Sequence, residues 1–147
     1  MGVRTRTRAE NRKEAKKNVA FAKLNNCPTS PRKMRLIADL IRGQRVELAL
    51  HILKNNAKQP SDRLRKLLLS AIANWQAKNE GARIEESDLI VKEVFVDSGR
   101  QLKRLLTAPQ GRAHRIRKRS NHVTILLDSR NKPAVEVAEA EEADENK

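Results

Sequence analysis

Thirty consecutive residues, from Ser98 to Leu127, contain no acidic side chain but eight Lys or Arg side chains and two histidines. The basic residues are Arg100, Lys103, Arg104, Arg112, Arg115, Arg117, Lys118 and Arg119. Apolar segments rich in β-branched residues lie at either end of this run, at 89–96 and 122–127, and are typical of strands. A basic arm between two strands has little apolar surface to bury. Its expected counter-surface is a dense polyanion, and RNA is the first candidate.

The turn signals between these two strands decide how the arm is folded. One signal is Asp97-Ser98-Gly99 and the other is Pro109-Gln110-Gly111. Antiparallel pairing of 89–96 with 121–128 puts the centre beside the second signal, whereas a turn at the first signal leaves 122–127 without that neighbour. The pattern predicts one long hairpin over about 89–128, with its tip at 107–112 and arms of about 18 residues that span about 60 Å. A two-stranded ribbon is marginal in water, so we expect a partner to hold it.

Three amphipathic patterns precede the hairpin and predict helices. The first starts at Ser30-Pro31, where Ser suits the cap and Pro suits the first turn, and it ends before Gly43. The second covers 46–55, and the third starts at Pro60. A short alternating segment at 19–24 predicts a strand. The expected fold is α+β: three helices packed on a small three-stranded antiparallel sheet, with a long protruding β-hairpin and flexible termini.

Charge divides the chain of 147 residues into three parts. The net charge is +14, but residues 133–147 hold six acidic residues and one base, so residues 1–132 carry +19. We expect 1–18 to be a flexible basic extension, 19–128 a single α+β domain that includes the hairpin, and 129–147 an acidic disordered tail. The tail either solubilises the chain or competes with nucleic acid for its basic surface. The bases of the extension are Arg4, Arg6, Arg8, Arg12, Lys13, Lys16 and Lys17.

Few residues offer any other chemistry. The lone Cys27 excludes an internal disulfide and a cysteine zinc cluster, and we expect an inert, packed thiol. The chain has no apolar run of about 18 residues, no signal core and no cofactor motif, so we expect a cytoplasmic protein with no cofactor and no metal. We expect His51 at the surface and Trp75 in the core. Two phenylalanines and no tyrosine argue against a base-stacking platform, which leaves recognition of RNA backbone and shape.

Four blocks of residues follow one another between about residues 19 and 128. They are Ser30-Pro31-Arg32-Lys33-Met34-Arg35 with Asp39-Leu40-Ile41-Arg42-Gly43, then Ser70-Ala71-Ile72-Ala73-Asn74, then Gly111-Arg112-Ala113, and Lys118-Arg119-Ser120-Asn121-His122-Val123-Thr124. In order and spacing these blocks resemble the L twenty-two family of large-subunit ribosomal proteins. The tip departs from the family pattern, because Thr107-Ala108-Pro109-Gln110 stands where Pro-Arg-Ala-Lys is usual.

The resemblance implies that the hairpin threads through large-subunit rRNA and that the body lies near the exit of the nascent-peptide tunnel. The tip that would line the tunnel is Thr107, Ala108, Pro109, Gln110, Gly111 and Arg112. The rRNA contacts carried over are Arg32, Lys33, Arg35 and Arg42 on the first helix, with Lys103, Arg104, Arg112, Arg115, Lys118, Arg119 and His122 on the hairpin. Because of their positive charge, we also expect rRNA contacts from Arg100, Arg117 and the bases of the N-terminal extension.

Our interpretation is a structural, non-enzymatic ribosomal protein of bacterial type on the large subunit, which acts early in assembly. Its expected partners are rRNA, neighbouring ribosomal proteins and the nascent polypeptide, with no membrane and no homo-oligomer. The alternative is a free nucleic-acid-binding or ribosome-assembly module that uses the same arms. An RNA-modifying enzyme is disfavoured, because the chain has no paired carboxylates, no cofactor loop and no reactive cysteine context.

Overall fold

The computed structural model describes residues 3–79 and 87–130, and for residues 14–18 it describes the backbone alone. In chain order the elements are α1 (Val3–Asn18), β1 (Ala20–Cys27), α2 (Pro31–Ile41), α3 (Val46–Asn55), α4 (Pro60–Lys78), β2 (Leu89–Thr107), a 3-10 turn (Pro109–Gly111) and β3 (Ala113–Ser129). The three predicted helices are confirmed as α2, α3 and α4, and the three predicted strands as β1, β2 and β3. The α+β class is confirmed with them.

β3 is the central strand of an antiparallel sheet whose order is β1-β3-β2. Its alternate residues Val123, Ile125 and Leu127 are buried on the side of the helices, whereas Thr124 and Leu126 lie on the other side. The largest fully buried side chains that the helices supply are Met34, Ile37, Ile41, Leu53, Leu64 and Leu68. Burying one such side chain contributes about 1.5–3 kcal/mol. This one core therefore holds the body and leaves the outer hairpin outside it.

The N-terminal segment corrects our expectation of a flexible extension, because it forms a fourth α-helix among the described residues. No Gly or Pro occurs within α1, and Arg, Lys, Glu and Ala, which favour helix, dominate it. Arg6 Nε lies 3.5 Å from Glu10 Oε1 one turn later, which adds a little support. The described side chains of α1 are exposed. Charge and the lack of apolar residues alone do not predict this helix, whereas the helix propensity of its residues does.

Two β-bulges in β2 shift the register of the hairpin. Lys92 is the extra residue of the first bulge, and in the second Gly99-Arg100 face the single residue Ser120. The predicted pairing was wrong by two residues at the end of the buried part, where Val96 pairs with Val123. The turn is centred on Gln110, since Thr107 pairs with Ala113, whereas the predicted pairing centred it between Ala108 and Pro109. Each bulge adds one residue to β2 only and brings the register one step closer to the predicted one.

The free edge of β1 is covered by side chains of α4. Lys78 Nζ donates to the Val19 carbonyl at 2.7 Å, and Asn74 Nδ2 donates to the Phe21 carbonyl at 3.0 Å. Lys78 Nζ also lies 5.9 Å from the centroid of the Phe21 ring. Residues four apart lie on one side of a helix, so the two donors reach successive outward carbonyls of the strand. These donors occupy the place of a neighbouring strand.

Candidate nucleic-acid interface

The arm, residues 98–120, has two chemically different faces, because paired residues of antiparallel strands point to the same side. Lys103 is paired with Arg117, and Arg115 and Arg119 lie on the same face, two residues away on either side. All four side chains are exposed, and within the described part of the chain none of them forms an ion pair. We call these four residues the cationic face. Its charges repel one another unless an anion lies against them.

The opposite face of the arm carries an interrupted apolar stripe. Leu102, Leu106 and Ile116 share it with Arg104 and Lys118. The three apolar residues remain between 38% and 53% exposed, so they gain little from burial in the free chain. The outer arm is therefore held mainly by its own backbone ladder.

The tip reverses direction in the 3-10 turn Pro109–Gly111, as the sequence predicted. Gln110 and the glycine after it have φ of 60° and 71°, a left-handed conformation that suits glycine. The Ala108 N–H donates to the Arg112 carbonyl at 2.9 Å and closes the turn. Residues 105–111 carry no charged side chain, so the apex is neutral and the cations begin at its base.

Hydrogen bonds tie the base of the arm to the body. Asn121 is fully buried, and its Nδ2 donates to the Thr29 carbonyl at 2.7 Å and to Thr29 Oγ1 at 2.8 Å. The Asn26 backbone N–H donates to His122 Nδ1 at 3.1 Å. We call Asn26, Thr29, Asn121 and His122 the collar. It joins β3 to the connection between β1 and α2, so the body sets the direction in which the arm leaves.

The second bulge lies beside the collar and has room only for glycine. A Cβ atom on Gly99 would lie 2.8 Å from Ser120 Oγ, 3.2 Å from the Ser120 carbonyl carbon and 3.2 Å from His122 Nε2. The Ser120 hydroxyl is held there because it donates to the Arg100 carbonyl at 2.6 Å. The close approach of the two strands, and not an unusual φ, is what favours glycine at this position.

Two of the cations predicted on α2 already have partners in the body. Arg35 Nη2 and Nε donate to the Val96 carbonyl at 2.9 and 3.3 Å. Arg42 Nη2 donates to the Val94 carbonyl at 3.1 Å, and its Nη1 lies 2.7 Å from Asp39 Oδ1. These guanidinium groups cover the free edge of β2 where the arm begins. Contact of Arg35 and Arg42 with RNA remains a prediction, in addition to this structural role.

The other predicted contacts are distributed over the surface. Arg32 and Lys33 are exposed in the first turn of α2. Arg4, Arg8 and Arg12 recur every fourth residue and share one side of α1, well separated along the sequence from the arm. The side chains of Lys16 and Lys17, and the predicted acidic tail beyond residue 130, lie outside the described residues. The interface predicted from sequence therefore comprises several cationic surfaces.

Other chemistry has little support. Within the described ranges no group of three or more His, Cys, Asp or Glu side chains is placed to hold a metal ion. None of the described helices has the length and apolar character needed to cross a bilayer. Cys27 is buried as predicted, with Arg63 Nη1 3.0 Å from its Sγ. His51 is exposed and Trp75 is buried, so both predictions are confirmed.

An ion pair near the first bulge, Lys92 with Asp128, shifts the pKa of its lysine. Lys92 Nζ lies 2.6 Å from Asp128 Oδ2. The hydrogen bond and the charge of Asp128 raise the pKa of Lys92 above its usual value. The pair is exposed, so water screens most of its effect on stability.

Three residues of the collar, Asn26, Thr29 and Asn121, are ones that sequence reasoning missed, and it predicted the fourth, His122, only as an rRNA contact. The block from Lys118 to Thr124 carries the family resemblance and several cations, and neither feature gives Asn121 a role. A signal was nevertheless present, because Asn121 continues the inward alternation of Val123 and Ile125. An amide on the buried register of a strand needs a partner, and that requirement points to a structural contact.

Comparisons with known proteins fit this geometry. The family model described as Ribosomal protein L22p/L17e matches residues 22–128, a range that contains the hairpin except for Ser129 and excludes α1. A protein of Christiangramia forsetii named Large ribosomal subunit protein uL22 is 72% identical over 131 residues, which cover 89% of this chain and 97% of the relative. Proteins with the same name from Cytophaga hutchinsonii and Bacteroides fragilis strain YCH46 are 62% and 58% identical. Those matches cover 87% and 88% of this chain, and 71% and 95% of the respective relatives.

Proposed function

We propose that this chain, which belongs to the ribosomal protein L22p/L17e family, binds and organises large-subunit rRNA and that its arm lines the nascent-peptide exit tunnel. Family membership makes the chain a structural constituent of the large ribosomal subunit and not an enzyme. Ribosomal RNA and neighbouring proteins of the subunit are its partners in that role. The proposal itself concerns two further points: which surfaces of the chain contact rRNA, and whether the nascent polypeptide passes the tip of the arm.

The cationic face of the arm is the observation that carries the proposal. Lys103, Arg115, Arg117 and Arg119 form an exposed row along a ribbon that has little apolar cover of its own. Each side chain that neutralises a phosphate releases condensed counter-ions, and the planar guanidinium group matches two phosphate oxygens. RNA packed on both sides of the ribbon offsets the repulsion within the row. The other cations predicted from sequence extend this contact over α1, α2 and the body.

The tip has a different task in this proposal. Its uncharged segment, residues 105–111, offers no fixed charge to a passing peptide, while Arg112 at its base can bind the RNA wall. We therefore propose that the nascent polypeptide slides past residues 107–111 and that Arg112 anchors them.

Salt dependence tests the RNA contact. We expect the affinity of the full chain for an rRNA fragment to fall with a log–log slope of several units against salt concentration. The variant K103Q/R115Q/R117Q should lower that slope by about two units, because each phosphate contact contributes about 0.7–0.9. K54Q/K58Q/K66Q removes the same charge from exposed lysines of the body and is the matched control. Equal slopes for wild type and the arm variant would contradict the proposal.

Amide exchange tests whether RNA orders the arm. Amides of residues 101–119 should exchange rapidly in the free chain and slowly in the assembled large subunit, because the outer ladder has little apolar cover. Sedimentation separates this proposal from the alternative of a free RNA-binding module. The chain should stay with large subunits through a high-salt wash. Recovery only in ribosome-free fractions would support the free module.

A further inference from the structure

Two segments of opposite charge lie on either side of the range that the family model matches. α1 carries seven bases and two acids, a net charge of +5, and residues 133–147, the acidic segment, carry six acids and one base, a net charge of −5. Both lie outside the matched residues 22–128. We propose that the acidic segment docks on α1 of the same chain as an intramolecular counter-charge, so that the pair has no net charge.

α1 is a cationic helix with little counter-charge among the described residues. Arg4, Arg8 and Arg12 share one side of it and are exposed, and none of them forms an ion pair with another described residue. Like charges four residues apart repel each other, and the first turn has no acidic residue to offset the positive end of the helix dipole. A helix of 16 residues that is polar on all sides is marginal in water. An anionic segment beside α1 removes both sources of repulsion.

The sheet brings the two segments together where they join the body. Ala20 pairs with Leu127 on the neighbouring strand, just after α1 ends at Asn18 and just before β3 ends at Ser129. Adjacent strands lie about 4.8 Å apart, so α1 and the residues beyond 130 leave the body from neighbouring points. A short covalent connection of this kind gives an effective concentration on the order of 1 mM. Weak ion pairs are therefore sufficient to hold the two segments together.

The arm is the other strongly cationic surface, and it lies farther from the acidic segment. β3 runs from the arm to Ser129, so residues 121–129, about 30 Å of strand, separate the base of the arm from the point where the chain leaves the sheet. A random coil as long as residues 131–147 has a root-mean-square span of about 20–25 Å. α1 ends beside the point where this coil begins. The topology therefore favours α1 over the arm.

The order of the charges favours an antiparallel arrangement. Four of the six acids lie at 141–145, far from the body, and three arginines without an acid lie at 3–8, at the far end of α1. Counted outward from the pair of Ala20 and Leu127, Arg4 and Asp144 are almost equally distant along the chain. Ala and Glu dominate the acidic segment and favour helix, whose rise per residue equals that of α1. Antiparallel docking places the densest acids beside the densest arginines and the positive end of the dipole.

Carbodiimide cross-linking of the full chain tests the contact, because it joins a carboxylate directly to an amine. The amines of α1 are those of Lys13, Lys16 and Lys17, and exposed lysines of the body that report chance encounters are Lys54, Lys58 and Lys66. We expect the acidic segment to join the α1 lysines about tenfold more often than the body lysines at low salt. Most of this preference should disappear at about 1 M salt, where the Debye length is about 3 Å. Monomers are separated from dimers before the links are identified by mass spectrometry.

Matched variants separate docking from the closeness that the shared connection imposes. R4Q/R8Q/R12Q removes three charges from α1 but keeps every lysine and carboxylate, and it should lower the yield at Lys13 about fivefold. R32Q/R100Q/R117Q removes the same charge from exposed arginines elsewhere and should keep the wild-type yield. The connection is identical in all three chains, so closeness alone predicts equal yields. Fluorescence of Trp75 during urea unfolding checks that each variant is folded.

Amide exchange gives a second readout. E141Q/E142Q/D144N/E145Q should speed exchange in α1 about threefold, whereas E47Q/D62N/E93Q/D97N, which neutralises four exposed acids of the body, should not. Any of three results would overturn the proposal: equal links at Lys13 in wild type and the α1 variant, links mainly to Lys103 or Lys118 of the arm, or links only between copies. No RNA is present in these experiments, so their outcome is independent of the proposed function.

Discussion

Replacing Asn121 with alanine should loosen the joint between the arm and the body without changing any charge. The side chain is fully buried, and its Nδ2 donates twice to Thr29, at 2.7 and 2.8 Å. N121A removes both bonds and leaves the Thr29 carbonyl without its donor. It also leaves a small void in a close-packed part of the sheet.

The magnitude follows from these contacts. Two hydrogen bonds are worth about 1–3 kcal/mol net, and a stranded, partly buried carbonyl adds about 1 kcal/mol. Asn121 Oδ1 is buried with no hydrogen-bond partner among the described residues, so its removal offsets about 1 kcal/mol of that loss. The expected net destabilisation is about 2 kcal/mol. For a domain of this size it lowers the melting temperature by about 8 °C.

Urea unfolding monitored by the buried Trp75 measures this loss. T29V is the matched control, because it keeps the backbone carbonyl and removes Oγ1, which accepts from Asn121 and also lies 3.4 Å from Cys27 Sγ. We expect T29V to cost about 1 kcal/mol, and the double variant to cost about 1 kcal/mol less than the sum of the two single ones. If N121A unfolds within about 0.5 kcal/mol of wild type, or if the two losses simply add, the collar does not act as described.

Three further changes follow from the same geometry. G99A should destabilise the base of the arm by about 1–3 kcal/mol, because the new methyl group clashes with Ser120. Faster amide exchange around the second bulge measures this loss, and adding S120A to the same chain should restore part of the lost stability. R35A should lower stability by about 1–2 kcal/mol through its two lost bonds, which urea unfolding measures. Because Arg35 is also a proposed rRNA contact, R35A should lower the salt slope of RNA binding by about 0.7–0.9, and an unchanged slope would leave Arg35 with its structural role alone. D128N should lower the raised pKa of Lys92 towards its usual value. The small stability that the pair contributes is present at neutral pH and is lost as pH rises through the raised pKa of Lys92. Urea unfolding of D128N and wild type should therefore differ slightly at pH 7, and the difference should shrink as the pH is raised through that pKa.

The sequence predicted the main elements because each had a strong local signal. Ser30-Pro31 and Pro60 begin α2 and α4, and the turn at Pro109–Gly111 forms the tip of the hairpin. These residues restrict the backbone by themselves, whatever surrounds them. The register was wrong because the turn is centred on Gln110 and not between Ala108 and Pro109, and because two bulges shift the ladder between the tip and the buried strands. A pairing of strand ends records neither feature.

The candidate site likewise has features that the sequence predicted and features that only the structure reveals. The placement of Arg115, Arg117 and Arg119 on one face follows from the two-residue period of a strand and needed no structure. The hydrogen bonds of Arg35 and Arg42 to strand carbonyls could be found only from the structure. An arginine that covers a sheet edge and an arginine that is free to bind phosphate look the same in the sequence and have similar exposure.

The covered edges of the sheet have a consequence for the time between synthesis and assembly. At one edge the carbonyls of Val19 and Phe21 already accept donors, and at the other those of Val94 and Val96 do. A strand from another copy would have to displace these donors before it could pair there. Two of the donors are arginines, whose charge also repels another strongly basic copy. Newly made chains can therefore accumulate ahead of their RNA with less risk of polymerising through their sheets.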